Sequence, residues 1–208
     1  RQRQMCIRDS RYSDPGSFLT ERNMYNKNIL KIESNSLILI GDGYSEKGQF
    51  PFIDKLSLKD FSSNRIYNSS YTDKLEDILD FDIKKNQLLV RIESKSDYPN
   101  YYFKSLNGRR INKITDFNNP FDNLNQVDKE VISYKRNDGV ELSGVLYLPI
   151  GYNKASKEKM PMILWAYPRE FKDKNSASQN LNNPNEYTNP YYGSCLLYTS
   201  DAADESVC

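Results

Sequence analysis

The chain has 208 residues, with 29 lysines and arginines against 28 aspartates and glutamates, for a formal net charge of +1. Charges of both signs are interspersed, which argues against a nucleic-acid surface, and no apolar run approaches membrane-spanning length. There is no histidine, and the three cysteines, Cys6, Cys195 and Cys208, all lie near the ends, so the residues between them offer no imidazole base, no thiolate and no Cys/His zinc site.

The two ends do not read as part of the fold. Back-translated, CLLYTSDAADE at residues 195–205 and RQRQMCIRDS at residues 1–10 are encoded by opposite strands of one DNA element. Inverted flanking DNA of this kind looks like a sequencing-library transposon adapter; a natural terminal inverted repeat is the alternative. Segments 1–10 and 195–208 are therefore set aside as non-native before the fold is read.

From residue 11 the chain reads as β-structure. Two stretches repeat one another, residues 29–68 and residues 78–115: Ile29-Leu30 matches Ile78-Leu79, Leu37-Ile38 matches Leu88-Leu89, Ser57-Leu58 matches Ser105-Leu106, and Arg65-Ile66 matches Arg110-Ile111. Each unit holds four short β-type runs separated by polar turns, at an offset within the blade range of roughly 40–50 residues. Asn107-Gly108 marks the last hairpin of the second unit, because both residues tolerate positive φ. Four-stranded units of this kind stack radially to cover their faces, so residues 11–118 are predicted to be two blades of a β-propeller, with a plain antiparallel sandwich as the alternative. Tyr101-Tyr102-Phe103 reads as strand packing and Arg109-Arg110 as a solvated turn. Arg91 and Glu93 either face a propeller tunnel or, the favoured reading, form blade-edge salt bridges.

The pattern changes after Phe117. Asn118-Asn119-Pro120 and Asp122-Asn123 form a linker; 131–134 is a strand, Asn137-Asp138-Gly139 a hairpin turn, and VELSGVLYL at 140–148 an alternating strand. Residues 161–167, PMILWAY, are a continuous apolar run suited to a strand buried on both faces. A hairpin followed by such a strand, with a helix expected next, is how an α/β-hydrolase sheet opens. The predicted fold class is thus mixed: C-terminal blades of an all-β propeller at 11–118, then the first strands of an α/β-hydrolase domain at 119–194.

These strings resemble the prolyl oligopeptidase family of serine peptidases, above all its glutamyl-endopeptidase-like branch. The most specific are KEVISYKRNDGVELSGVLYLPIGY at 129–152 and PMILWAYPREFKDKNSASQ at 161–179; RYSDPG at 11–16, FIDKLSL at 52–58 and RIESKSDYPNYY at 91–102 are looser matches. The resemblance implies a propeller that limits access by size and a hydrolase that cleaves peptides through an acyl-enzyme. The family nucleophile sits in a G-x-S-x-G elbow followed by Asp and His. No such elbow exists here: Ser143 is flanked by Glu141 and Val145 where glycine is required, and Gly151, Gly193 and Ser194 do not form one. The resemblance does place Tyr167 at the strand end where relatives carry an oxyanion-hole tyrosine, a fixed donor of the kind worth roughly 10²–10³ in rate. Its alternative is a tyrosine capping a strand. Pro168-Arg169-Glu170-Phe171 replaces the glycine-rich string of other relatives. Arg169 is a candidate for pairing with a substrate glutamate, with a surface ion pair to Glu170 or Asp173 as the alternative.

Triad hydrolysis needs no cofactor, the expected partner is a peptide substrate, and no metal site is indicated. Two other functions remain open for the parent: an esterase or aminopeptidase on the same fold, or a propeller binding module with a degenerate hydrolase tail. With no imidazole and no elbow serine, the chain by itself is expected to be inactive and of low stability, with strand edges uncovered. Incubation with a Glu-containing chromogenic peptide should release no product above the buffer rate, and turnover would refute the reading.

Overall fold

The computed structural model describes residues 10–156, 158–166 and 174–187. Among them the chain is mostly strand with little helix. In chain order the strands are β1 (Ser17–Phe18), β2 (Thr20–Arg22), β3 (Asn28–Leu30), β4 (Ser36–Gly41), β5 (Tyr44–Ser45), β6 (Gly48–Gln49), β7 (Phe52–Ser57), β8 (Ser63–Asn68), β9 (Leu75–Asp82), β10 (Gln87–Glu93), β11 (Asn100–Ser105), β12 (Ile111–Lys113), β13 (Asp128–Lys135) and β14 (Glu141–Leu148). Lys174–Ala177 forms one turn of α-helix, α1. No described helix is long and apolar enough to cross a membrane.

Two four-stranded sheets dominate, in the orders β1-β4-β7-β8 and β12-β11-β10-β9; the pairs β2-β3, β5-β6 and β13-β14 stand apart, and no barrel closes. Every pairing is antiparallel. Alternation fixes which way each strand faces. In β10, Leu88, Val90 and Ile92 turn to one side and are 0%, 0% and 7% exposed, while Leu89, Arg91 and Glu93 turn to the other. Val90 lies between Ile78 of β9 and Tyr102 of β11, so the core-facing row crosses the sheet.

From the second strand of each sheet onward the sequence repeat holds in three dimensions and has a backbone signature. Asn35 and Asn86 precede the second strand of each sheet in left-handed conformations, with φ of 55° and 50°. The Asn35 carbonyl accepts from Leu58 N–H and the Asn86 carbonyl from Leu106 N–H, both at 2.9 Å. Asparagine tolerates positive φ better than other side-chain-bearing residues, so the same residue type solves the same turn twice.

The two sheets pack face to face. Ile38, Ile53 and Tyr67 of the first meet Phe81, Leu88, Val90 and Ile92 of the second in one buried cluster, each fully buried aliphatic side chain contributing about 1.5–3 kcal/mol. A polar network lies within this seam. Glu76 of β9, with no exposed side-chain surface, accepts from Lys104 Nζ of β11 at 2.8 Å and from the Tyr67 hydroxyl of β8 at 2.7 Å. Lys104 Nζ also donates to that hydroxyl at 2.7 Å and lies 4.6 Å from the Tyr71 ring centroid. Burial first, and then the Glu76 charge, pushes the Tyr67 phenol far above its ordinary pKa. Tyr67 thus remains a neutral donor.

On the far face of the first sheet, the Arg65 guanidinium forks onto Asp54 at 2.7 and 3.1 Å and stacks 3.6 Å above the Phe52 ring. Gly41 opposite Phe52 leaves room for that ring, which a Cβ would strike. The β13–β14 hairpin pairs in unbroken register from Asp128↔Leu148 to Lys135↔Glu141. Its turn is closed by Gly139 at φ 82°, with Arg136 N–H bonded to the Val140 carbonyl at 2.9 Å. Asp138 takes two bonds from the Arg136 guanidinium and one from Val140 N–H, which hold its carboxyl well below the usual range.

Three expectations are corrected. The first strand of the leading sheet is Ser17–Phe18, not Ile29-Leu30, which belongs to the separate β2–β3 hairpin. Residues 161–166 form no strand: Met162, Ile163 and Leu164 are 74%, 85% and 80% exposed. An apolar run becomes a buried strand only where neighbours accept its backbone bonds, and no described strand adjoins this one. The Asn107-Gly108 turn is a four-residue loop in which Gly108 alone has positive φ, 71°, closed by Ser105 N–H to the Arg110 carbonyl at 2.8 Å.

Removing one partner of a buried charge leaves the other uncompensated. Lys104→Met should therefore cost about 3–5 kcal/mol in urea unfolding, and Tyr67→Phe about 1–3 kcal/mol. A Lys104→Met loss below that of Tyr67→Phe would contradict the network as described.

Candidate functional site

The residues carrying the catalytic expectation, Tyr167 and Arg169, lie outside the described residues, as do Gly193 and Ser194. Ser143 sits mid-strand in β14, opposite Ser133, with its Oγ accepting from Asn182 Nδ2 at 3.2 Å. With no histidine in the chain, nothing there acts as an imidazole base. Gly151 occupies an open turn at φ 76° with free space around it, unlike a strained nucleophile elbow.

The concentrated polar chemistry is instead at the end of β9 and β10. Arg91 lies opposite Asp77 in the ladder and contacts Asp77 Oδ2 at 2.5 Å and Glu93 Oε1 at 3.2 Å. Arg91 and Glu93 share a face because they are two residues apart in a strand. This is the ion pairing favoured by the sequence for Arg91 and Glu93, extended to a third residue, Asp77. Arg91 Nε is buried without a partner. Burial raises the Glu93 carboxyl above its ordinary pKa against the opposing pull of the Arg91 charge and of Tyr187 N–H. A guanidinium compensated by two carboxylates is a structural clamp rather than a free anion receptor.

Residues 174–187 reach this cluster through a series of hydrogen bonds. Gln179 Oε1 accepts from Arg11 N–H at 2.7 Å and Tyr12 N–H at 3.3 Å. Asn183 Nδ2 donates to Gln49 at 3.1 Å and Asn185 Nδ2 to the Thr72 carbonyl at 2.9 Å. The strap ends where Tyr187 N–H donates to Glu93 Oε2 at 3.2 Å and its hydroxyl to Asn119 at 2.5 Å, its ring edge-on to Tyr98 at 5.2 Å. Lys129, 2% exposed, donates to the Glu186 carbonyl at 2.6 Å, and burial lowers its ammonium pKa.

Sequence reasoning did not single out Lys129, Glu186 or Tyr187, since no local pattern links residue 187 to residue 93. Lys104 had a legible signal: in β11 it shares the inward alternation of Asn100 and Tyr102.

A carboxyl with a raised folded pKa binds its proton more tightly folded than unfolded. Its contribution to stability is complete below the unfolded pKa and is lost as pH rises through the folded one. Comparing melting temperatures of the wild type and Glu93→Gln from pH ~4 to ~7, the wild-type advantage should shrink with rising pH. An advantage that grows would reverse the assigned sign.

No family model matches the chain. Among curated proteins, it is 33% identical over 190 residues to a probable chloroplastic glutamyl endopeptidase of Oryza sativa subsp. japonica, covering 85% of this chain and 20% of that protein. It is 32% identical over 202 residues to the Arabidopsis thaliana protein of the same description, covering 90% of this chain and 21% of that one. The chain therefore spans about a fifth of the length of the curated relatives it matches. Among solved structures, the AtxE2 isopeptidase aligns with a TM-score of 0.37 and 14% identity, over 66% of this chain when Astexin3-dC4 is bound and 65% in the apo form, and over 22% of the isopeptidase in each. By sequence, the chain is a homologue of a segment of the glutamyl endopeptidases.

Proposed function

We propose that this chain is part of a serine-type peptidase, in which residues 11–118 are two blades of a β-propeller and residues 119–194 open an α/β-hydrolase domain. The observation that carries this reading is the match to plant glutamyl endopeptidases along most of the chain. Two consecutive four-stranded antiparallel sheets, stacked face to face and built on one repeat, support the propeller part.

The reaction follows from the triad template. A serine supplied by the rest of the protein attacks the peptide carbonyl while a histidine takes its proton. The tetrahedral oxyanion collapses to an acyl-enzyme as the amine leaves with that proton, and water then releases the acid. Tyr167 is the one group of this chain assigned to the chemistry, its hydroxyl donating to the oxyanion. Arg169 is assigned to the substrate: a guanidinium forks onto a carboxylate bidentately, which suits a glutamyl side chain. The substrate is a peptide, and no cofactor takes part.

Sequencing the source DNA across both ends of the native segment supplies the test material. A frame running on into a G-x-S-x-G elbow with later Asp and His supports the peptidase; a frame without them favours a binding module. In the complete enzyme, Tyr167→Phe should lower kcat about 10²–10³-fold with KM little changed. An unchanged kcat removes Tyr167 from the oxyanion hole. Arg169→Gln should erase the preference for Glu over Gln substrates, and a retained preference assigns Arg169 to the surface.

A further inference from the structure

The end of the second sheet opposite the Arg91 cluster carries a different arrangement. Two turns lie side by side there, 83–86 between β9 and β10 and 106–109 between β11 and β12, joined by Leu106 N–H to the Asn86 carbonyl at 2.9 Å. With Ile66 of β8 they wall an open cleft of about 650 Å³. Ile66 and Leu106 give it an apolar floor; Lys85, Arg109 and Arg110 give it three cations, and no acidic residue lines it.

The two arginines are unlike the rest. Among the described residues, Arg11, Arg65, Arg91 and Arg136 each reach a carboxylate, and Arg22 reaches the Asn26 amide oxygen. The Arg109 and Arg110 guanidiniums have no such partner, and Lys85 holds Asp82 only loosely, at 3.4 Å with 73% of its side chain exposed. Positive charge is thus concentrated over an apolar floor with no carboxylate among the described residues to neutralise it beyond the loose Lys85–Asp82 contact, although the chain as a whole is nearly neutral.

We infer that this cleft is a binding site for an acidic peptide segment, one carrying an apolar residue among its carboxylates. Charge complementarity sets the sign of the ligand. The backbone argues against a compact phosphate site: a phosphate cradle needs free, convergent N–H groups, and here they are spent within the turn. Gly108 N–H donates to the Ser105 carbonyl at 2.8 Å, Arg109 N–H to the Asn107 side chain at 3.1 Å, and Arg110 N–H to Ser105 Oγ at 2.9 Å. Recognition falls to the side chains. Adjacent guanidiniums in an open cleft suit carboxylates spaced along an extended chain, with the apolar side chain on Ile66 and Leu106. None of the residues lining the cleft carries the catalytic assignment.

The test is fluorescence anisotropy of a labelled peptide of alternating Glu and Leu against the full chain at low ionic strength. Arg109→Ala/Arg110→Ala should weaken binding about tenfold or more, with unchanged circular dichroism because both side chains are exposed. The control Lys47→Ala/Lys59→Ala, which removes two exposed charges elsewhere, should leave binding intact. Equal weakening in both double variants, equal binding of the Gln counterpart, or displacement by inorganic phosphate at concentrations matching the peptide would overturn the assignment.

Discussion

Glu76 is a carboxylate with no exposed surface, held between two four-stranded sheets, and the seam around it fixes how the sheets face each other. A buried charge is tolerated only with complete compensation, and here compensation comes from both sides: Lys104 from the same sheet and Tyr67 from the other. The apolar contacts among Ile38, Ile53, Leu88 and Val90 supply the larger share of attraction but are tolerant of small slips. The three hydrogen bonds are directional and are not. The seam therefore combines a non-specific driving force with a specific register lock, and the Asn35 and Asn86 turns hold the strands that feed it.

The remaining polar investment ties distant parts of the chain to that pair of sheets. Glu93 projects from the face of β10 opposite the seam and meets Tyr187 N–H, while Lys129 caps the Glu186 carbonyl. Asn100 fixes the exit from the second sheet, its side chain bonding Thr115 and both backbone groups of Phe117. The strap 174–187 thus joins residues that the proposed architecture assigns to two different domains. These contacts are mostly single hydrogen bonds to side-chain amides, each contributing about 0.5–1.5 kcal/mol net, so the connection is weaker than the seam.

The two ends of the second sheet have opposite electrostatic character. At one end Arg91 is paired with Asp77 and Glu93 and serves architecture. At the other, Arg109 and Arg110 are unsaturated and serve recognition in the proposed reading. The residue type is the same; the difference is whether an acid stands opposite in the ladder. Register decides that, since Arg91 faces Asp77 across the strands, whereas Arg109 lies in a turn beyond the last pair.

Much of the β-architecture was legible in the sequence, because strand alternation and turn residues act locally. The offset matches Leu37-Ile38 with Leu88-Leu89, and Arg65-Ile66 with Arg110-Ile111, fall on β4 with β10 and on or beside β8 with β12. The hairpin at Asn137-Asp138-Gly139 needed only its own residues. Ile29-Leu30 misled because a β2–β3 excursion separates the true first strand from its partner, and a short apolar pair reads alike in either place. Residues 161–166 misled because composition sets what a segment would bury, while a neighbouring strand sets whether it is buried at all. The candidate site divides the same way. The absence of histidine and of a G-x-S-x-G string is a property of the sequence alone. The Glu76 lock, the Glu93–Tyr187 contact and the charge of Arg109 and Arg110, uncompensated among the described residues, were decided only by tertiary structure, because each depends on which residues, 9 to 94 positions apart, stand within hydrogen-bond reach.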